Sequence, residues 1–146
     1  MEIFRTYDIR GVYPEEINEE VVFKIAAALV KFLNPRSRAF GSLRGRPDKL
    51  VVAQDARPSS QTLKESVITA IIASGVDIID IGMATTPLFY FSVNKLSAAG
   101  GIIITASHNL PQYNGLKLVR ERAIPIGENP GLLQIKNLAR DIKIDK

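Results

Sequence analysis

The sequence predicts an α/β fold: a three-layer α/β/α domain on a short mixed, mostly parallel sheet with one antiparallel strand. Three observations carry this. Short apolar runs bounded by Gly, Pro, Asn and Asp alternate with segments whose apolar residues recur at helical spacing, the pattern of strands joined by crossover helices. The run Ile102-Ile103-Ile104 shows no alternation of apolar with polar residues, so it reads as a strand buried on both faces. The apolar run Leu116 to Val119 follows too soon for a crossover helix, and that strand is therefore antiparallel.

Taken in order, Phe4 to Gly11 has no helical period and reads as an extended loop leading to a short strand. Asn18 then offers an N-cap, Glu19 and Glu20 complement the first turn, and Ile17 with Val22 form a hydrophobic staple. Apolar residues at 21, 22, 25, 28, 29 and 32 carry this helix to about Leu33, where Asn34-Pro35 ends it. Residues 36–49 mix Gly, Pro, Ser and Arg without either period and are expected to form an exposed, flexible basic loop. Leu50 to Ala53 is a short buried strand. Ser59 or Ser60 caps a second helix with Leu63, Val67, Ala70 and Ile71 on one face, stopped by Gly75.

Val76 to Ile81 reads as the next strand. Thr86-Pro87 is an N-cap and first-turn pair for a third helix, with Leu88, Phe91 and Leu96 as its inward residues. After the isoleucine strand, Asn114-Gly115 reads as a turn into the returning strand, which would point Lys117 back toward Ser107. A short Ile124-Pro125-Ile126 segment follows, and Asn129-Pro130 starts a last amphipathic helix with Leu132, Leu133, Ile135, Leu138 and Ile142 available for burial. No internal repeat or boundary divides the chain. Residues 1–146, 46% hydrophobic, are read as a single domain, with room for it to be one part of a longer protein.

Composition removes several function classes. The absence of cysteine excludes disulfides, thiolate metal sites and thiol catalysis, and suits a reducing, cytoplasmic setting. No apolar run is long enough to span a bilayer, and the N-terminus lacks the basic-then-apolar pattern of a signal peptide. The net charge of +4 comes from one place: Arg36, Arg38, Arg44, Arg46 and Lys49 cluster in a single loop with only Asp48 against them, and the remaining charges balance. Phe40 is the only aromatic in that loop, so it lacks the stacking platforms of a single-strand binder, which argues against nucleic acid. Gly-x-Gly-x-x-Gly, Walker and Gly-x-Ser-x-Gly strings are absent, which sets aside nucleotide-binding and serine-hydrolase readings.

The chemistry gathers where the isoleucine strand stops. Ser107, His108 and Asn109 follow it directly, at the strand end where ligands bind in open α/β sheets. Ser, His and Asn are also ordinary turn formers, and Asp8 with Arg10, like Asp55 with Arg57, makes a plain structural ion pair. Four strings in sequence order tip the balance. Phe4-Arg5-x-Tyr7-Asp8-Ile9-Arg10-Gly11, Asp55-x-Arg57-x-Ser59, Thr86-Pro87 and Thr105-Ala106-Ser107-His108-Asn109-x-Pro111-x-Tyr113-Asn114-Gly115-x-Lys117 together resemble the first, phosphoserine-bearing domain of the α-D-phosphohexomutases, the phosphomannomutase and phosphoglucomutase family.

That resemblance implies a function. Ser107 would carry a phosphoryl group, give it to a hexose phosphate and take it back from a bisphosphate intermediate, so interconverting hexose 1-phosphate and 6-phosphate of mannose or glucose. His108 and Lys117 would assist proton movement or neutralise the transferring group, while Tyr7, Arg10 and Arg57 would line the phosphate-binding face. It further implies Mg2+, held by the Ser107 phosphate together with an Asp-Gly-Asp-x-Asp-Arg loop in a second domain, and a hexose bisphosphate as activator. No such loop occurs in this chain. The missing domains would be its partners, in the same or another chain, and the isolated chain would be inactive. Leu110 stands where the family has proline after Ser-His-Asn, so the restriction imposed by Pro111 falls on Leu110. Ala53-Gln54 likewise replaces a commoner Gly followed by Arg or His. The alternative expectation is a standalone, non-catalytic anion- or nucleic-acid-binding module on the same fold.

Overall fold

The sheet is assembled around the isoleucine run. In the computed structural model, which describes residues 3–33 and 49–144, that run lies in a strand over Gly100–Ile104 (β4) that is buried at every position. On one side it pairs in parallel with β2 (Lys49–Gln54), and β2 pairs in parallel with β3 (Asp77–Met83). On its other side stands β5 (Tyr113–Arg120), antiparallel to it, and β5 is also antiparallel to β1 (Ile9–Val12) and to the two-residue β6 (Ile124–Pro125). The order is β1-β5-β4-β2-β3, with β6 beside β5. Among the described strands β5 alone runs opposite in direction to the rest, as the short connection after β4 requires.

Alternation along the strands divides the core in two. Leu50, Val52, Ile102, Ile104, Leu116 and Leu118 face one way and meet α1 (Glu19–Leu33), α2 (Ser60–Ala73) and α4 (Leu133–Arg140). Val51, Ala53, Ile103 and Val119 face the other way, against α3 (Thr86–Lys95). Three helices thus cover one face and one helix covers part of the other. This is the three-layer mixed sheet that the sequence predicts.

Most local signals act as expected. The Asn18 side chain accepts the Val21 N–H at 3.1 Å at the start of α1, and Ile17 and Val22 are both fully buried. Gly75, at φ 77°, ends α2 in the left-handed region. Four readings need correction. The N-cap of α3 is Thr85, whose hydroxyl accepts the Leu88 N–H at 3.3 Å, and Thr86-Pro87 fill the first two helical positions. Leu88, Phe91 and Leu96 are consequently exposed, and Phe89, Ser92 and Val93 face inward. The helix carries apolar residues on two faces; the choice falls to Phe89 because its ring packs onto the bare backbone of Gly101, where a Cβ would approach within 2.8 Å.

Asn114-Gly115 is not a turn but part of β5, opposite Gly11 and Arg10 of β1. The reversal takes place earlier, between Ile104 and Tyr113. Finally, α4 begins at Leu133 after a separate turn over Glu128–Leu132; Leu132, Ile135 and Ala139 are buried, Leu138 and Ile142 pack at the core's edge, and Leu133 is exposed. Lys49 opens β2. The rest of the expected basic loop, and the Asn34-Pro35 stop, lie outside the described residues.

Candidate functional site

Ser107 lies just beyond the carboxyl end of β4, exposed, with φ at 55°. A left-handed backbone is costly for a residue with a side chain, so something must hold it. One restraint is local: the Ser107 N–H donates to the Thr105 hydroxyl at 2.9 Å, and the Asn109 N–H donates to the Ala106 carbonyl at 3.1 Å. The Ser107 hydroxyl lies 3.3 Å from Nδ1 of His108. An imidazole so placed can accept the hydroxyl proton or donate to an oxygen carried there, according to its tautomer.

Arg10 reaches this loop from β1. It is opposite Gly115 in the β1–β5 ladder, and its Nη1 donates to the Asn109 side chain at 2.6 Å. Its Nη2 donates to Asp8. Lys117 faces the same carboxylate, with Nζ at 3.9 Å from Asp8. Asp8, Arg10 and Lys117 are all at least three-quarters buried in their side chains. Two cations share one carboxylate, which leaves a net positive charge beside the Ser107 loop. The expected return of Lys117 toward the loop takes the form of this Asp8-mediated link to Arg10 and Asn109, with no direct hydrogen bond to Ser107.

Tyr7 is placed differently. It is 70% exposed, and its ring lies against Gly127, where a Cβ would sit 3.5 Å away. No hydrogen bond among the described residues joins it to Ser107. Arg57 is close to the loop but engaged with it: Nη1 donates to the carbonyls of Leu110 (2.8 Å) and Tyr113 (2.9 Å), and Nη2 to those of Ser107 (3.0 Å) and Asn109 (2.7 Å). Its Nε donates to Asp55 at 3.2 Å. Its planar fork is thus taken up by the backbone of the loop, whereas the sequence expectation was that it would line the phosphate-binding face.

Behind the loop lies a polar network that sequence reading overlooked. Asp55 accepts the Arg57 N–H at 3.0 Å and the Ser60 hydroxyl at 2.6 Å. The fully buried Asn114 donates to the hydroxyls of Ser59 (2.8 Å) and Ser60 (3.0 Å) and accepts the Gly115 N–H at 2.8 Å. This explains why Ser59, at the N-cap position of α2, makes no capping bond through its side chain. Ser59 and Ser60 serve structure. The sequence signal for this network was the Asp55-x-Arg57-x-Ser59 string, which gives the Asp55–Arg57 pair but not the partner, Asn114, more than fifty residues away.

The described residues do not by themselves fit a divalent-cation cage. No three His, Cys, Asp or Glu side chains gather as ligands among the described residues, and the two carboxylates near the loop, Asp8 and Asp55, are turned onto Arg10 and Arg57.

Comparison with known proteins places this geometry in context. The profile of phosphoglucomutase/phosphomannomutase, alpha/beta/alpha domain I, matches residues 1–143. A phosphomannomutase of Escherichia coli is 41% identical over 94% of this chain, which spans 28% of that protein. A phosphomannomutase of Klebsiella pneumoniae is 40% identical over 94% of this chain and 80% of its own length. Among solved structures, a phosphoglucomutase/phosphomannomutase family protein of Burkholderia thailandensis superimposes with a TM-score of 0.77 at 34% identity, covering 95% of this chain and 30% of the other.

Proposed function

From the fact that this chain belongs to the phosphoglucomutase/phosphomannomutase family, as its α/β/α domain I, we propose that it is the phosphoserine-carrying part of a phosphohexomutase. The complete enzyme would interconvert the 1-phosphate and 6-phosphate of mannose or glucose in the cytoplasm. The observation that carries the reading is Ser107 itself. It is exposed at the end of the central strand, in a fixed left-handed turn, with an imidazole at 3.3 Å and a cation excess alongside.

A seryl phosphate brings close to two negative charges, and Arg10 and Lys117 supply the balancing field. In the forward step a hexose hydroxyl oxygen bonds to phosphorus as the bond from phosphorus to the Ser107 oxygen breaks. The hydroxyl proton leaves the sugar, and the serine oxygen takes one up, with His108 the nearest side chain to that oxygen. The return step, from the other position of the bisphosphate, restores the seryl phosphate. Such transfer depends on positioning and electrostatic stabilisation more than on covalent work by the protein. Tyr7, exposed and lying against Gly127, would contact the sugar phosphate in the assembled enzyme. Mg2+ would neutralise charge on the transferring group, with only the Ser107 phosphate contributed from this chain and its other ligands from the missing domains.

The test is to incubate the complete enzyme with a labelled hexose bisphosphate and map the label. Label on Ser107, lost in Ser107→Ala, is the expected result. Label on Ser59 or Ser60 would refute the assignment, and their hydroxyls are already committed to Asn114.

A further inference from the structure

Arg57 holds four carbonyls of one loop with one side chain, and this is more than an ion pair needs. The two terminal nitrogens bond the carbonyl oxygens of Ser107, Asn109, Leu110 and Tyr113, and the remaining nitrogen bonds Asp55. A guanidinium has five N–H donors in a fixed plane, and all five are accounted for. The side chain is only 12% exposed, and its carboxylate partner is itself anchored by the Ser60 hydroxyl at 2.6 Å.

We infer that Arg57 is a positioning residue, the pin that holds Ser107 in its left-handed turn and draws the loop's carbonyl oxygens onto a cation. This rests on the reading of Ser107 as the phosphate carrier and adds to it a division of labour among the arginines. Carbonyl oxygens are the negative ends of peptide dipoles, and several of them loose beside a seryl phosphate would repel it. Gathering four onto one buried guanidinium removes that repulsion. It also fixes the direction of the Ser107 Cα–Cβ bond, because the carbonyls on both sides of His108 are tied to a single rigid group. Arg10 and Lys117, tied to Asp8 and not to the backbone of the loop, remain the cations that can face the phosphate.

Lysine cannot replace this arginine, since a single ammonium lacks the planar fork that spans four acceptors. In the complete enzyme, Arg57→Ala and Arg57→Lys are both expected to lower kcat by roughly a hundredfold or more while KM for the hexose phosphate stays within about threefold. Added guanidinium, at concentrations below those that unfold the protein, should restore Arg57→Ala by about tenfold and leave Arg57→Lys unchanged. If Arg57→Ala does not fold, Arg57→Lys carries the test through amide hydrogen exchange. Amides of residues 107–113 should exchange at least about tenfold faster while those of β2 and β4 keep their protection. A rise in KM at constant kcat would mark Arg57 as a direct phosphate contact and overturn the inference, as would unchanged exchange in residues 107–113. Absence of label on wild-type Ser107 would instead overturn the functional reading. A labelled wild type with an unaffected Arg57→Lys defeats only the pin.

Discussion

Asp8 decides how the cations of the site behave, because Arg10 and Lys117 both face it. Lys117→Ala should lower kcat about 10²-fold to 10³-fold with little change in KM, as removal of one preorganised donor to a transition state does. Steady-state kinetics on the complete enzyme checks this, and equal effects on both constants would assign Lys117 to ground-state binding. The hydroxyl of Tyr13 donates to Glu19 at 2.8 Å. That hydrogen bond first, then burial and the nearby carboxylate charge, raise its pKa above the ordinary 10.0. The folded state therefore favours the protonated phenol. Its stabilising contribution is fully present below about pH 10 and is lost as pH rises through the folded-state value. Denaturant midpoints measured across that range should fall less steeply in Tyr13→Phe than in the parent.

At the scale of elements, close approach of backbones matters more than propensity. Gly115 lies between β1 and β4, and a Cβ there would fall 2.2 Å from the Ile9 carbonyl oxygen and 3.0 Å from that of Thr105. Backbone cannot step aside as a flexible side chain would. Gly115→Ala should destabilise by about 1–3 kcal/mol or more, read by urea unfolding, and should loosen the Arg10 contact with Asn109. Helix α3 depends on one ring: Phe89 is fully buried against Val51, Ile103 and the bare face of Gly101. Phe89→Ala should cost about 3–5 kcal/mol, whereas Phe91→Ala, on the exposed side, should stay within about 0.5 kcal/mol. A reversal of that order would mean that α3 packs by the face the sequence favoured.

Across the whole molecule, the site is built on one open rim. The chain spans 28% of the Escherichia coli phosphomannomutase it resembles, and no described helix is long and apolar enough to cross a membrane. The isolated chain is expected to fold and yet show no mutase turnover, even with Mg2+ and a hexose bisphosphate. Folding follows from two continuous cores, one on each face of the sheet. Inactivity follows from the lack of a carboxylate cage and of any grip on the far end of the sugar. Positioning is worth several kcal/mol of barrier, and about 1.4 kcal/mol is tenfold in rate. A coupled assay on the purified chain is the check. Turnover abolished by Ser107→Ala would require a site not described above.

The strand-and-helix alternation, the burial of Ile102-Ile103-Ile104, the antiparallel return of β5, the Asn18 start of α1 and the Gly75 end of α2 were determined by the sequence alone, because each depends on residues near one another in the chain. So was the string around Ser107. The buried face of α3, the place of Asn114 inside β5, the true cap at Thr85 and the task of Arg57 were decided by tertiary structure. Leu88 and Phe89 are both apolar at helical spacing, and only the space above Gly101 selects between them. Arg57 meets carbonyls 50 to 56 residues further along the chain. No local pattern encodes which oxygens a guanidinium will find there, because backbone carbonyls occur at every position and only the folded path of the loop turns four of them toward the same point.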